Sequence, residues 1–314
     1  MIKDYAKDSA NVPEGFKELR EGQAKILYIA QKLERDNEGM IKKEKGKKRI
    51  ANEINEDPGA VFYNPVQEFN RDISISVIRE YIKVINEERA AKGKEERDIT
   101  ILEALAATGL RSVRYMKEID KVEKIVCNDW DPVAVELMNK NLEHNGVPAE
   151  KYETFAQDAV HLMNKMRADK RLFDVIDLDP YGTAIPFLES AIGALRNGGL
   201  LAVTFTDMAV LCARRPHVCA YKYGSAPLPN RYCHEFALRM VLNMINQMAN
   251  RHGRIIEPVL SLTVDFYLRL FIRVRESPIQ CHRSILKSSH VYQCQDCESH
   301  WFQPMGREVP YQPK

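Results

Sequence analysis

The sequence predicts an α/β protein: a mostly parallel sheet with helices on both faces, closed by a β-hairpin. Three observations carry this prediction. Apolar strand-like runs alternate with segments of helical periodicity from Ile99 to Ala249. The predicted strands run into turns carrying Gly, Asn, Asp or Pro. After the last helix the alternation gives way to two consecutive β-rich runs. With 314 residues, 45% hydrophobic and 29% charged, the chain can bury a full core without disulfides.

The elements follow in order. Ile99–Leu102 is a short apolar strand, followed by a Gly-containing turn and a helical stretch to Ile119. Lys124–Cys127 is the next strand, ending in Asn128-Asp129. Pro132–Asn145 places Ala134, Leu137, Met138 and Leu142 at helical spacing, and Asn145-Gly146 stops it. Tyr152–Phe155 is a third strand and Ala159–Met166 a short helix. Val175–Leu178 is a fourth strand, running into Asp179-Pro180-Tyr181-Gly182. Phe187–Leu195 is a helix, Leu200–Phe205 a fifth strand and His234–Ala249 a helix. Val259–Thr263 and Tyr267–Val274 form the closing hairpin, with Asp265 near the bend. Upstream, Asn86–Asp98 reads as a helix end followed by a loop. Lys32–Gly59, with six basic residues in Lys42–Arg49, reads as a surface insertion, with a nuclear-localisation or RNA-touching patch as the alternative. Five β-α units closed by a hairpin are the element order of the class I (Rossmann-like) methyltransferase sheet, an analogy of order alone.

Composition excludes several classes. The most apolar stretch, Pro258 to Val274, is interrupted by Asp265, Arg269 and Arg273, so a helical membrane span is not expected. The N-terminal MIKDYAKDSANVPEG has no apolar core, so a secretory leader is not expected either. Seven cysteines, an odd number, point to a reducing, intracellular compartment. Five of them (Cys127, Cys212, Cys219, Cys233, Cys281) show no metal spacing and read as buried free thiols. Between Asp207 and Arg275, ten Lys/Arg stand against four Asp/Glu, which suggests a polyanionic partner or a solvated charged face.

In a doubly wound sheet the ligand lies at the C-terminal strand ends. The first strand is followed by Glu103-Ala104-Leu105-Ala106-Ala107-Thr108-Gly109-Leu110-Arg111, a turn of small residues that lets backbone approach a ligand. It is not G-x-G-x-x-G, which disfavours a dinucleotide. Asp129, ending the second strand, can accept hydrogen bonds from ribose hydroxyls. Asp158, after the third, can accept from an adenine amino group, with Ala159 beside it. Each acid alone also fits a helix N-cap.

Asp179-Pro180-Tyr181-Gly182 resembles the Asp-Pro-Pro-Tyr type motif of enzymes that methylate exocyclic amines of bases. Such an amine is a poor nucleophile because its lone pair is delocalised into the ring. A carboxylate (Asp179) and a rigid carbonyl (Pro180) accept its N–H bonds and stabilise the charge that develops on nitrogen. Tyr181 stacks on an extruded base. The plain alternative is turn chemistry.

Several blocks then point to one family. Phe62–Asp72, Leu102–Tyr115, Asp177–Gly182, Thr206–Cys212 and Lys222–Arg239 resemble the tRNA guanine-26 N2-dimethyltransferases, over about Glu21 to Gln303. The resemblance implies S-adenosylmethionine as cofactor, tRNA as partner, and addition of one or two methyl groups. It implies that Arg71 and Arg111 contact the cofactor, with Asp129, Asp158 and Ala159. From its sequence position alone, Arg71 reads as a surface arginine or an RNA contact. Asp207 is a second acid near the site or an N-cap. The resemblance implies a methyltransferase domain over residues 1–276, with the insertion at 32–59. Residues 277–314 would begin a C-terminal RNA-binding domain, here truncated. In the family that domain can hold zinc through two Cys-x-x-Cys pairs, and Cys294 and Cys297 make one such half-site, to which His290 or His300 can add. A nuclear or mitochondrial address is the corresponding expectation for a eukaryotic member. Where members usually carry Gly after the AVLC run, Ala213-Arg214 stand here, a strained exchange if that Gly has positive φ. Two other readings stay open: methylation of another exocyclic amine such as adenine N6, and an inactive or weakly active RNA-binding form.

Overall fold

The structure, a computed structural model, describes residues 12–13, 16–29, 63–212 and 214–309. The expectations for Lys32–Gly59 and Ala213 lie outside the described residues. The chain divides into two compact units, Met1–Asp158 and Ala159–Lys314.

The first unit opens with an antiparallel hairpin, β1 (Phe16–Glu21) and β2 (Ala24–Ile29). Its two-residue turn needs Gly22, which has φ +55° and faces Arg114 so closely that a Cβ would lie 2.8 Å from Nε. Asn64 accepts from Val66 N at 3.0 Å and caps a short 3-10 turn. Helix α1 (Glu68–Ala90) follows, burying Ile75, Ile78, Ile82 and Ile85 as one stripe at i, i+3, i+7 and i+10. Then come β3 (Ile99–Glu103), α2 (Leu110–Glu118), β4 (Val122–Asp129), α3 (Pro132–His144) and β5 (Tyr152–Ala156). Asp131 caps α3 by accepting from Val133 N at 2.9 Å, with Pro132 as its first residue. Strand β3 pairs with β4, and β4 with β5, all parallel.

The second unit holds α4 (Ala159–Ala168), β6 (Phe173–Leu178), α5 (Ile185–Ala194) and β7 (Leu195–Phe205). It continues with α6 (Met208–Leu211), α7 (Pro216–Tyr223), α8 (Cys233–Arg251), β8 (Arg254–Val264) and β9 (Tyr267–Glu276). Last come α9 (Pro278–His282) and a separate hairpin of β10 (Ser289–Gln293) and β11 (His300–Pro304). Strand β6 pairs with β7 in parallel, and β9 pairs antiparallel with both β7 and β8. The order in the seven-stranded sheet is β5-β4-β3-β6-β7-β9-β8. The expected β-α units and closing hairpin are therefore present. The β1–β2 hairpin, most of α1, the short helices α6, α7 and α9, and the β10–β11 hairpin go beyond the sequence reading.

Among the described residues no helix is long and apolar enough to cross a membrane. The basic excess of Asp207–Arg275 is partly paired within the chain. Arg269 pairs with Asp177, Arg254 with Glu276, Arg239 with Glu235 and Arg275 with Glu257. Arg273 is buried, its Nε donating to the Gly198 carbonyl at 3.4 Å. Arg214, Arg215, Arg231 and Arg251 are exposed.

Candidate active site

In the first unit the ends of β3, β4 and β5 are tied together by Asn128, which is fully buried. Its Nδ2 donates at 3.0 Å to the carbonyls of Ala104 and Gln157, and its Oδ1 accepts from Gln157 N at 3.3 Å. The turn after β3 is held by Ala106 N donating to the Asn128 carbonyl at 2.7 Å. Ala107 has φ +47° and Gly109 φ +74°. A Cβ on Gly109 would meet Met138 Cγ at 2.7 Å, so the turn and α3 touch through a missing side chain. The half-buried Asp129 accepts from Ala107 N through Oδ2 at 2.9 Å and from Asp131 N through Oδ1 at 3.1 Å. These contacts orient the carboxylate and leave acceptor capacity on both oxygens. Asp158 is exposed, and Ala159, the first residue of α4, is buried.

The two arginines lie inside. Arg71 is buried, which corrects its reading as a surface residue. Its Nε donates to Glu21 Oε1 at 2.6 Å, its Nη2 to Oε2, and it lies over the Tyr63 ring. Arg114 Nη1 reaches the same Glu21 at 2.8 Å. Burial works to raise the Glu21 pKa, but the hydrogen bonds and charges of Arg71 and Arg114 outweigh it and hold the carboxyl below its usual range. Arg111 donates to Ser74 Oγ at 3.1 Å and Asn70 Oδ1 at 3.3 Å, with Glu103 at 3.7 Å. Glu21, Asn70, Ser74 and Asn128 were not singled out from sequence. Their partners lie far along the chain, so spacing gives no signal of them.

In the second unit β6 is buried throughout and delivers the Asp179-Pro180-Tyr181-Gly182 turn. Asp177, two residues earlier, is locked to the buried Arg269 by bonds of 3.0 and 2.6 Å. Asp179 and Pro180 are half-buried and Tyr181 is 80% exposed. Gly182, at φ +77°, donates to Thr206 Oγ1 at 2.7 Å, and its carbonyl accepts from Thr206 N and Asp207 N. Thr183 Oγ1 lies 2.9 Å from the Tyr223 hydroxyl, which donates to Asp207 Oδ1 at 2.7 Å. Asp207 occupies the N-cap position of α6 without a side-chain capping bond, so the simple N-cap reading fails. Burial pushes its pKa up, against the opposing Tyr223 hydrogen bond and Lys222. Tyr223, the last residue of α7, is thus a partner of this turn that sequence reasoning missed.

A cavity of about 530 Å³, lined among others by Asp98, Lys121, Val122 and Lys151, opens where β3, β4 and β5 begin. It lies away from the strand ends that carry Asp129 and Asp158, where the topology argument puts a nucleotide.

Cys294 and Cys297 sit in the turn between β10 and β11. Among the described residues no third ligand joins them within 4.8 Å. The reading of the other five cysteines as buried is corrected: Cys127 and Cys219 are buried, whereas Cys212, Cys233 and Cys281 are half-buried. Cys212 and Cys233 are neighbours, and burial first, then Cys233, pushes the Cys212 thiol up to about 12.

A seven-stranded sheet of this order, with a small-residue turn after its first parallel strand and an acid ending the next, defines a class I S-adenosylmethionine-dependent methyltransferase fold. The model of the family "N2,N2-dimethylguanosine tRNA methyltransferase" matches residues 40–311. A tRNA (guanine(26)-N(2))-dimethyltransferase of Drosophila melanogaster is 45% identical over 282 residues, covering 80% of this chain and 49% of its own length. A relative from Saccharomyces cerevisiae, named as the mitochondrial enzyme of that kind, is 38% identical over 285 residues, covering 79% and 50%. The solved structure of Trm1 from Pyrococcus horikoshii with S-adenosyl-L-methionine superposes with a TM-score of 0.72 at 27% identity, covering 94% of this chain and 71% of that one. The chain belongs to the N2,N2-dimethylguanosine tRNA methyltransferase family. It spans about half the length of the curated relatives it matches.

Proposed function

We propose that the chain transfers one or two methyl groups from S-adenosylmethionine to the N2 exocyclic amine of guanine 26 in tRNA. The observation that carries this reading is the Asp179–Gly182 turn. A half-buried carboxylate and an exposed tyrosine stand at the end of a buried strand, and Thr206, Thr183, Tyr223 and Asp207 fix the backbone around them.

The strand-end residues fit the cofactor. Ala107 and Gly109 keep the turn in left-handed conformations free of bulk, and Asp129 has acceptor capacity for ribose hydroxyls. On this reading Asp158 and Ala159 hold the adenine. Arg71 and Arg111 are the cofactor arginines, positioned by Glu21 and by Asn70 and Ser74. When bound, S-adenosylmethionine supplies an electrophilic methyl group. Asp179 and the Pro180 carbonyl accept the amine's N–H bonds, draw its lone pair out of conjugation and stabilise the positive charge that develops. Tyr181 stacks on the flipped guanine. Exposed Arg214, Arg215 and Arg231 contact RNA phosphates. Transfer to a tRNA places the chain where tRNA is found. A nuclear or mitochondrial address belongs to the same reading, and the yeast relative's name is of the mitochondrial kind.

Transfer of labelled methyl groups to bulk tRNA tests this. Asp179→Ala should lower the rate about 10²–10³-fold while calorimetric cofactor affinity stays within a few-fold. Near wild-type turnover in the variant removes Asp179 from the chemistry.

A further inference from the structure

In sequence Cys212 and Cys233 are too far apart to suggest a metal motif, and Cys233-His234 is an ordinary dipeptide. The fold brings the three together. Cys212 follows the last residue of α6, Cys233 opens α8 and His234 is its second residue. One ligand atom from each, two Sγ and a ring nitrogen, all lie within 4.8 Å of one another. The two cysteines are half-buried and the histidine is exposed. Cys219, between them in sequence, is buried and outside the group.

We propose that Cys212, Cys233 and His234 bind a soft divalent cation of the zinc class. Two thiolates and an imidazole form the N/S donor set that such ions select over magnesium or calcium. Bonds of about 2.3 Å to sulfur and 2.0–2.1 Å to nitrogen put tetrahedral ligand atoms about 3.5–3.8 Å apart, so the group needs only a small closure of side chains. Binding converts two thiols to thiolates and releases two protons to solvent. Three protein ligands leave a fourth position for water on the exposed side.

The place of the site gives it a task. Cys212 and Cys233 bracket the segment that holds α7, and Tyr223 of that helix bonds Asp207 and Thr183 beside the Asp179 turn. An ion clasping both ends closes this loop and restricts the conformations of the segment that supports the turn. A disulfide between the two cysteines would close the same loop. It has no use for an imidazole, and the presence of His234 in the group favours the metal. The site is separate from Cys294 and Cys297, and it holds whether or not the proposed methyl transfer is correct.

The test uses the full chain carrying Cys294→Ser and Cys297→Ser, reduced and anaerobic, titrated with Co²⁺. One equivalent should produce the near-ultraviolet thiolate-to-cobalt absorption and the strong visible bands of tetrahedral cobalt, and Zn²⁺ should bleach them. Cys212→Ser should abolish the signal, and His234→Ala should weaken binding tenfold or more. His234 is exposed, so that variant keeps the test usable if Cys212→Ser fails to fold by circular dichroism. Absence of the bands from the double-serine chain overturns the proposal. So does a signal that survives both substitutions, or recovery of a Cys212–Cys233 disulfide from a chain that binds no cobalt when reduced.

Discussion

Glu21 sits at the end of β1, 2% exposed, between the guanidinium groups of Arg71 and Arg114. Removing its charge would leave two buried cations short of their shared partner, a loss that costs about 3–5 kcal/mol for buried pairs. Glu21→Gln should therefore lower the urea midpoint markedly at neutral pH. The pH dependence has a definite sign. The folded pKa lies below the unfolded one, so the stabilisation is complete above the ordinary carboxylate range. It is lost as pH falls through the depressed folded value. Urea titrations from pH 7 downward should show wild-type stability falling toward that of Glu21→Gln. A constant gap between the two proteins across the acid range would contradict the ion-pair account. If Arg71 contacts the cofactor as proposed, Glu21 sets where its guanidinium stands.

At the scale of elements, the Tyr223 hydroxyl of α7 reaches Thr183, just after the β6 turn, and Asp207. Tyr223→Phe removes the donor to Asp207 and the contact with Thr183. Leaving a largely buried carboxylate oxygen without such a donor costs about 1–3 kcal/mol. The variant should unfold at lower denaturant and, on the proposed function, show a lower kcat at nearly unchanged cofactor affinity. Unchanged stability and kcat would mean that α7 does not support the turn. Elements such as β6 and β7 are legible in the sequence because both faces are buried, so VIDL and LLAVTF read as apolar runs. Strand β1 was not legible. Its inward residues include Glu18 and Glu21, and a strand that buries acids against His144, Arg71 and Arg114 shows no apolar alternation. The candidate residues of each unit divide along the same line. Asp129 and Asp179 are legible as candidates because they stand at strand ends, where a sheet of this kind places ligands. Asn128, Tyr223 and the Cys212–Cys233–His234 group depend on contacts between segments distant in sequence.

For the whole molecule, the distribution of charge matters more than the net +2. Most of the arginines of β8 and β9 are paired with acids of the same chain, whereas Arg214, Arg215 and Arg231 remain exposed around α7. If these three touch tRNA phosphates, each alanine substitution should make the log affinity–log salt slope shallower by about 0.7–0.9, as filter binding at several salt concentrations would show. Slopes that do not move would place the RNA elsewhere. The central claim, methylation of the exocyclic N2 of guanine 26, is tested most directly by mass spectrometry of nucleosides from a tRNA transcript incubated with the chain and S-adenosylmethionine. A matched transcript carrying adenosine at position 26 is the control. The account predicts N2-methylguanosine, with or without N2,N2-dimethylguanosine, from the first transcript and no methylated nucleoside from the second. Methylated adenosine, or equal guanosine methylation in both transcripts, would contradict it.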